Sequence, residues 1–336
     1  MSKKLRLGLI LDPEYYLLGK AVCALTPPLI DAFIRNFDTR ILYSQERYDA
    51  LCTEVDLLIS HEPDWAAPRL RWNRAGRFRR SLPRCPTYVM MSDPHGPRGR
   101  DEYFQSQGLD FILGYYLHPT RHHFPWLGRD QLVHYPWAVP DAWMDEAPIA
   151  ARGQDYLAIF GASAGPAYDT RNWCRNQPGV RSFDHSGCEN KLLSDRDFFR
   201  WLGTHDAVIA AGSLDPSFRL TTPKYFEAAA VGALLFAQET DDLTPLGFAH
   251  QVNCVAFNQD NFAAQAADYL RAPGDPRWAE IRAAGRQLIR QRHTISRRID
   301  DLVRHLHTWR GRGVGPVRNP ATTANLNPAN ALAPAA

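Results

Sequence analysis

The segment TTPKYFEAAAVGALLFAQETDDL, residues 221–243, spells out a helix and the strand that follows it. Thr222 stands where an N-cap belongs and Pro223 where the first helical residue belongs, a pairing that favours helix initiation. The small side chains of Ala228, Ala229 and Ala230 let such a helix lie close on a sheet, and Gly232 ends it. The apolar run 233–237 continues without a polar break, the pattern of a parallel-sheet strand covered on both faces. A helix start of this kind presents free N–H groups and the positive end of a dipole, with Lys224 in its first turn, so the pattern suits a bound phosphate. Glu227 lies one turn further on among small and apolar neighbours. A carboxylate there has little structural reason to exist unless it accepts hydrogen bonds from a ligand's hydroxyls.

Outward from this segment the chain alternates strands and helices, the signature of parallel sheets. Towards the N-terminus, strands are expected at 5–11, 41–43, 55–59, 87–91, 110–116 and 131–135, with a helix over 29–37 and a short one before the third strand. The Pro- and Trp-rich passage PWAVPDAWMDEAP that follows suits a hinge between domains. A second alternation then begins at 156–160 and runs through strands at 180–186, 207–213 and 252–257 to helices over 261–271, 278–293 and 295–309. This gives domains over residues 1–140 and 141–311, with a Pro-, Ala- and Asn-rich tail over 312–336 that has little to bury and is expected to be disordered.

The central segment resembles the donor-nucleotide motif of GT-B glycosyltransferases, in particular the CgeB-like spore-maturation group and the neighbouring group 1 transferases. The residues that carry the likeness are Lys224, Phe226, Glu227, Ala230, Gly232 and Ala233, then Asp241, Asp242 and Leu243. It continues through Gly285, Arg286, His293, Thr294 and Arg297 or Arg298, matching the family's AGR…HT…R ending. The resemblance implies an α/β GT-B fold of two Rossmann-like domains facing across a cleft, with a last helix crossing back to the first domain. It also implies that Glu227 binds the ribose of a nucleotide sugar and that the basic residues before it sit near the diphosphate. One departure stands out: many group 1 transferases carry a second glutamate eight positions before the helix glutamate, against the donor sugar, and here that position is Arg219.

Other candidates follow from position. The expected strand 87–91 opens into SDPHGPRGRD, and ligands gather at the carboxyl ends of strands in open α/β sheets. Asp93 is the candidate general base towards an acceptor hydroxyl and His95 its orienting partner; the alternative is a turn in which Asp93 caps a helix and His95 is merely exposed. In the loop GASAGPAYDTR, Arg171 resembles the basic residue that GT-B relatives place near the diphosphate, the alternative being a surface salt bridge. Arg219 either offsets pyrophosphate charge or pairs with a surface carboxylate. Asp241 and Asp242 either bond the donor's sugar hydroxyls or begin a helix. His118, His122 and His123 lack a carboxylate or cysteine at ligand spacing, so they read as ordinary surface histidines and no metal site is expected.

Hydrophobic residues make up 45% of the chain and charged residues 22%, which places it among globular proteins. The net charge of +3 is too small to argue for nucleic acid by itself. The basic stretch RLRWNRAGRFRRSLPR, residues 69–84, is either a solvated helix that docks Trp72 and Phe78 or a patch for a membrane surface or polyanionic acceptor. No stretch is apolar for long enough to span a bilayer, the N-terminal run is too short for a secretory signal, and the six cysteines form no CxxC pair. A cytoplasmic protein with reduced thiols is expected. The reading is a metal-independent glycosyltransferase with a nucleotide diphosphate sugar as co-substrate, no further cofactor, and a hydroxyl acceptor. The alternatives are a non-catalytic nucleotide- or glycan-binding protein of the same fold, and a nucleotide-sugar epimerase.

Overall fold

The computed structural model describes residues 4–11, 23, 25–51, 54–61, 85–95, 110–146, 152–184 and 193–309. Among them two parallel sheets stand side by side. Strands β1 (Arg6–Ile10), β2 (Asp38–Leu42), β3 (Leu57–His61), β4 (Thr87–Met91), β5 (Phe111–Gly114) and β6 (Leu132–His134) form the first, in the order β2-β1-β3-β4-β5-β6. Strands β7 (Leu157–Ile159), β8 (Val180–Ser182), β9 (Ala207–Ala210), β10 (Leu234–Gln238) and β11 (Val255–Phe257) form the second, in the order β11-β10-β9-β7-β8. In the second sheet the order reverses between β7 and β9, so the crevice for a ligand lies at the carboxyl ends of those two strands.

The helices among the described residues are α1 (Thr26–Asn36), α2 (Gln45–Leu51), α3 (Leu117–His123), α4 (Asp141–Asp145), α5 (Asp169–Arg175), α6 (Asp195–Leu202), α7 (Pro223–Val231), α8 (Phe262–Arg271), α9 (Pro276–Arg292) and α10 (Ile295–Trp309). Helix α3 has no counterpart among the expected elements. Helix α4 lies in the passage that suits a hinge between domains, and its Trp143 and Met144 are buried. The expected strand 180–186 stops at Ser182. The basic stretch 69–84 and the tail 312–336 lie outside the described residues.

Both faces of each sheet are covered, which is why the strands read as continuous apolar runs. In the second sheet Leu157, Ile159, Leu234 and Phe236 pack on one side, while Ala158, Ala210, Ala237 and Ala256 face the other. Helix α7 lies on that alanine-lined side with Ala228, Ala229 and Ala230 buried, so small residues meet small residues and the helix seats close to the sheet. Gly232 turns the chain off α7 at φ +85°, and its N–H and that of Ala233 close the helix onto Ala229 and Ala228 carbonyls.

Two chain crossings join the halves, and they are strapped together. Val139, before α4, forms a parallel bridge with Thr294, between α9 and α10, through Val139 N–H to His293 O at 2.9 Å and Ile295 N–H to Val139 O at 2.9 Å. Helix α10 then returns to pack on α1 of the first half. The AGR…HT…R residues supply the straps. Arg298 donates to Pro136 O at 2.9 Å and to Arg292 O at 2.9 Å, and Arg286 reaches the carbonyls of Trp143, Met144 and Glu146. Gly285 is where α9 passes closest to the chain before β11: a Cβ there would lie 2.7 Å from Asn253 O. Gly285→Ala should therefore destabilise by about 1–3 kcal/mol through overpacking against backbone, read as a fall in the chemical-denaturation midpoint.

Candidate active site

Five segments converge at the carboxyl ends of β7, β9 and β10: the loop 161–165, the start of α5, the loop 211–222, the first turn of α7, and residues 238–243. Gln238 ties its own segment to three of the others. Its side chain, 2% exposed, accepts from Gly212 N–H at 2.7 Å and donates to Ser213 O at 2.9 Å and Thr170 Oγ1 at 3.3 Å, while Tyr225 O–H bonds its carbonyl at 3.0 Å. The sequence reading missed this residue. The available signal was an amide at the carboxyl end of an otherwise apolar strand, LLFAQ.

Arg171 is buried, not on the surface. Its Nε donates to Ala211 O and its Nη1 to Ala162 O, each at 2.9 Å, so it ties the two loops together, and its guanidinium lies 4.5 Å from the Tyr168 ring centroid. Burial lowers its pKa to about 10. The surface salt-bridge alternative is thereby removed. Gly161, at φ +99°, faces the same point: a Cβ there would lie 3.0 Å from Lys224 Cε and 3.3 Å from Arg171 Nη1. A glycine at this position therefore lets two cations approach the loop backbone.

Lys224 and Glu227 are the unusual pair. Lys224 is 9% exposed and Glu227 0%. Lys224 Nζ sits 4.2 Å from the Phe160 ring centroid and forms no hydrogen bond or ion pair among the described residues; burial lowers its pKa to about 8, against the opposing pull of Glu227. Among the described residues neither carboxylate oxygen of Glu227 has a hydrogen-bond partner, and burial pushes its pKa up. Thr222 occupies the N-cap position as expected, at φ −63° and ψ 167°, yet its hydroxyl makes no capping bond and its Oγ1 is buried without a partner. A lysine, a glutamate and a threonine hydroxyl are thus gathered at one helix start with unmet bonding capacity, although buried polar atoms in folded proteins are almost always satisfied.

The remaining candidates divide. Arg219 donates through Nε and Nη2 to Leu214 O at 3.1 and 2.6 Å and lies 3.9 Å from Asp241 through Nη1, so it holds its own loop and pairs with a surface carboxylate. Asp242 is 1% exposed and faces the first half of the molecule. Its carboxylate accepts from the N–H groups of Leu117 and His118 at 2.9 and 3.0 Å and from His118 Nδ1 at 2.6 Å. Asp93 and His95 lie past the carboxyl end of β4, and the His95 ring meets Phe218, in the turn Pro216–Phe218, at 5.0 Å between centroids. The loop of the first sheet is thus brought against the chain that leads into α7.

His118, His122 and His123 lie at the surface as expected, His118 being 42% exposed, but they are not without partners. All three lie in α3 and bond the second half of the molecule, His122 through Ser217 Oγ at 3.2 Å and His123 through Ser217 O at 2.9 Å. Among the described residues no group of three or more His, Cys, Asp or Glu is placed to hold a metal ion.

Buried histidines make the protein acid-sensitive, among them His205, whose pKa burial lowers to about 4. Arg298 Nη2 can only donate, so His293 Nδ1, 2.7 Å away, accepts and Nε2–H donates to Leu246 O at 2.8 Å; the ring is neutral, and burial first and Arg298 second lower its pKa to about 3. Burial also lowers His134 to about 4, at the carboxyl end of β6. Each folded pKa lies below the ordinary 6.5, so the unfolded chain binds the extra proton between the two values. The contribution of these rings is complete above pH 6.5 and is lost as pH falls towards 4 and 3. Melting curves from pH 7 to 5 should show a loss of about 2 kcal/mol per ring, and His293→Gln should flatten that slope.

Residues 148–304, just under half of the chain, match the family model described as glycosyl transferase-like. No curated protein sequence matches. Among solved structures the chain is similar to a glycosyltransferase from Rickettsia africae ESF-5, at 10% identity and TM-score 0.54 over 93% of this chain and 100% of that one. It is similar to Anabaena Alr3699/HepE in complex with UDP, at 9% identity and TM-score 0.56 over 90% of this chain and 100% of that one. It is also similar to an alpha-glucosyltransferase in complex with UDP-glucose and DNA containing an abasic site, at 9% identity and TM-score 0.62 over 90% and 99%. Two parallel-sheet α/β halves, a returning C-terminal helix and these likenesses together make the fold of this chain that of the GT-B glycosyltransferases, with a glycosyl transferase-like segment at residues 148–304.

Proposed function

We propose that this protein is a glycosyltransferase of the CgeB-like or group 1 kind that moves a sugar from a nucleotide diphosphate to a hydroxyl acceptor. The observation that carries the reading is the Glu227 carboxylate, fully buried on α7 with both oxygens unpartnered, one turn from a buried Lys224. Ribose hydroxyls would satisfy the carboxylate, and a diphosphate would draw on Lys224, the Thr222 hydroxyl and the α7 amides. Arg171 and Gly161 hold that wall in place. As the glycosidic bond breaks, negative charge collects on the leaving phosphate, and fixed donors aimed at it stabilise the transition state. Lys224, Arg171 and the helix start supply that positive field from the protein itself, so the reaction as proposed needs no resident metal.

Asp93 serves as the base that takes the acceptor's proton, and His95, held against Phe218, orients the hydroxyl. Arg219 and Asp241, 3.9 Å apart, would meet the sugar end of the donor where many group 1 enzymes have a glutamate. Because Glu227 is enclosed, a donor reaches it only after the two halves part, and catalysis then follows closure. A cytoplasmic location belongs to the same proposal. Among the described residues no helix is long and apolar enough to cross a membrane.

A thermal-shift panel of UDP-, GDP-, TDP- and CDP-sugars tests the reading. One nucleotide class should raise the melting temperature by several degrees, since a ligand at 100 times its Kd adds about 2.7 kcal/mol. No shift with any of them would reject it. The engagement of Arg219 with Leu214 and Asp241 favours, as second reading, a sugar-nucleotide-binding protein without transfer activity. Stabilisation by a nucleotide sugar without hydrolysis or transfer would select that reading.

A further inference from the structure

Helix α3 belongs to the first half of the molecule by sequence and sheet position, yet its start is capped from the second half. Leu117 and His118 are its first two residues, and their N–H groups, which no residue of a helix can satisfy internally, both point at Asp242. The His118 ring bonds the same carboxylate, and His122 and His123 at the other end of α3 bond Ser217. Asp215 fixes the turn that carries Ser217 by accepting from Ser217 N–H at 2.8 Å.

The two segments that α3 touches are the ones that flank the proposed donor site. The turn Pro216–Phe218 runs through Arg219 and Thr221 into α7, and Asp242 follows β10, the strand that α7 leads into. Thr221 and Thr240 hydroxyls, 2.6 Å apart, tie these segments to each other. Phe218 in the same turn meets His95. Fixing α3 against this unit therefore fixes the Asp93 and His95 loop relative to Lys224 and Glu227.

We propose that Asp242 and α3 form a polar clamp that sets the closed relation of the two domains, with Asp242 a positioning residue for transfer and not a ligand of the donor sugar. The chemistry suits a contact that opens and re-forms in every cycle. Water can replace each of these bonds on opening, so little net free energy separates the two states, unlike an apolar interface of similar extent. The catalytic consequence rests on the transferase reading given above; the clamp itself does not.

Hydrogen exchange and small-angle scattering of the full chain test it, with UDP as the nucleotide probe. In Asp242→Ala the Leu117 and His118 amides should exchange at least about 10-fold faster, the charged bonds that protect them having gone, while the β1 and β9 amides stay protected. The scattering profile should shift towards an opened form and UDP affinity should stay within about 3-fold, because Asp242 touches no nucleotide in this scheme. Asp242→Asn, which keeps one accepting oxygen, should fall between. The double variant His122→Ala/His123→Ala, with Asp242 intact, should also open the scattering profile and carries the test if Asp242→Ala does not fold. Unchanged exchange at Leu117 and His118, protection lost equally throughout the sheets, or UDP binding weakened in step with the exchange would each overturn the clamp. Absence of UDP binding by the natural protein, with none by the other nucleotides, would instead remove the transferase reading and leave the exchange result to judge the clamp alone.

Discussion

A Lys224→Met/Glu227→Gln double variant should melt above the natural protein and lose all response to the nucleotide sugar that stabilises the natural chain. Both charges are buried, neither forms a hydrogen bond among the described residues, and no contact of 4 Å or less joins them as an ion pair. Replacing buried charged groups by neutral ones of similar shape is commonly neutral or stabilising by about 1–4 kcal/mol, which for a chain of this size is a rise of several degrees. Binding should weaken by at least about 100-fold, the scale for removing one side of a buried charged hydrogen bond. Glu227→Gln alone should gain less, because it leaves the Lys224 charge without its opposing field.

The same pair sets a pH dependence that checks the physics independently of any ligand. Lys224 titrates near 8 in the folded chain and near 10.5 when unfolded, so between those values the unfolded state holds more protons and stability from this group rises with pH. That rise should be present in the natural protein and missing from the double variant. An unchanged or lower melting temperature in the double variant, with nucleotide binding intact, would mean that Glu227 is ordinary packed protein. A carboxylate that is merely packed is expected to be bonded to its surroundings, and this one is not.

The parts of the fold that were legible in the sequence are those whose signal is local. Apolar runs announced β4, β5, β7, β9 and β10 because strands covered on both faces need no alternation, and Pro223, the three alanines and Gly232 announced α7 because initiation, close packing and termination each select a residue type. Glu227 was legible for the converse reason, a charge in a place that local packing does not explain. Asp242 was not. Its partners lie 124 and 125 residues away, and nothing in the sequence distinguishes an aspartate that caps its own helix from one that caps a helix in the other domain. The bonds of the α3 histidines were hidden on the same account, since the partners of a short polar surface helix are unknown until its neighbour is known. The burial of Arg171 was not legible, because its bonds to the carbonyls of Ala162 and Ala211 depend on how two distant loops meet. The ending that resembled the family pattern was recognised as a pattern without its purpose, which the structure shows to be the strapping of the two crossings.

That purpose makes Arg286→Ala the substitution with the largest expected effect on stability. Arg286 is 7% exposed and sits where two helices end. Its Nη1 donates to Ala230 O in the last turn of α7 at 2.6 Å, and its Nη2 to the carbonyls of Trp143, Met144 and Glu146 at the end of α4. Last-turn carbonyls have no partner within their own helix and carry the negative end of its dipole, so one buried cation satisfies both ends at once. Alanine would take this donor from the Ala230, Trp143 and Glu146 carbonyls, Met144 O keeping its bond from Arg290 Nη2, at about 1–3 kcal/mol for each that water cannot reach. Since such penalties are not additive, a total of roughly 3–5 kcal/mol and a fall in melting temperature of about 5–8 °C are expected. Arg286→Lys should recover less than half, because an ammonium cannot fork between α7 and α4. Arg304→Ala is the matched control: that guanidinium is 72% exposed and pairs with Asp301 at 3.0 Å, and exposed pairs of this kind contribute about 1 kcal/mol or less. A fall of only one or two degrees in Arg286→Ala, no larger than that of Arg304→Ala, would mean that the contact between α7 and the crossing does not hold the two halves together.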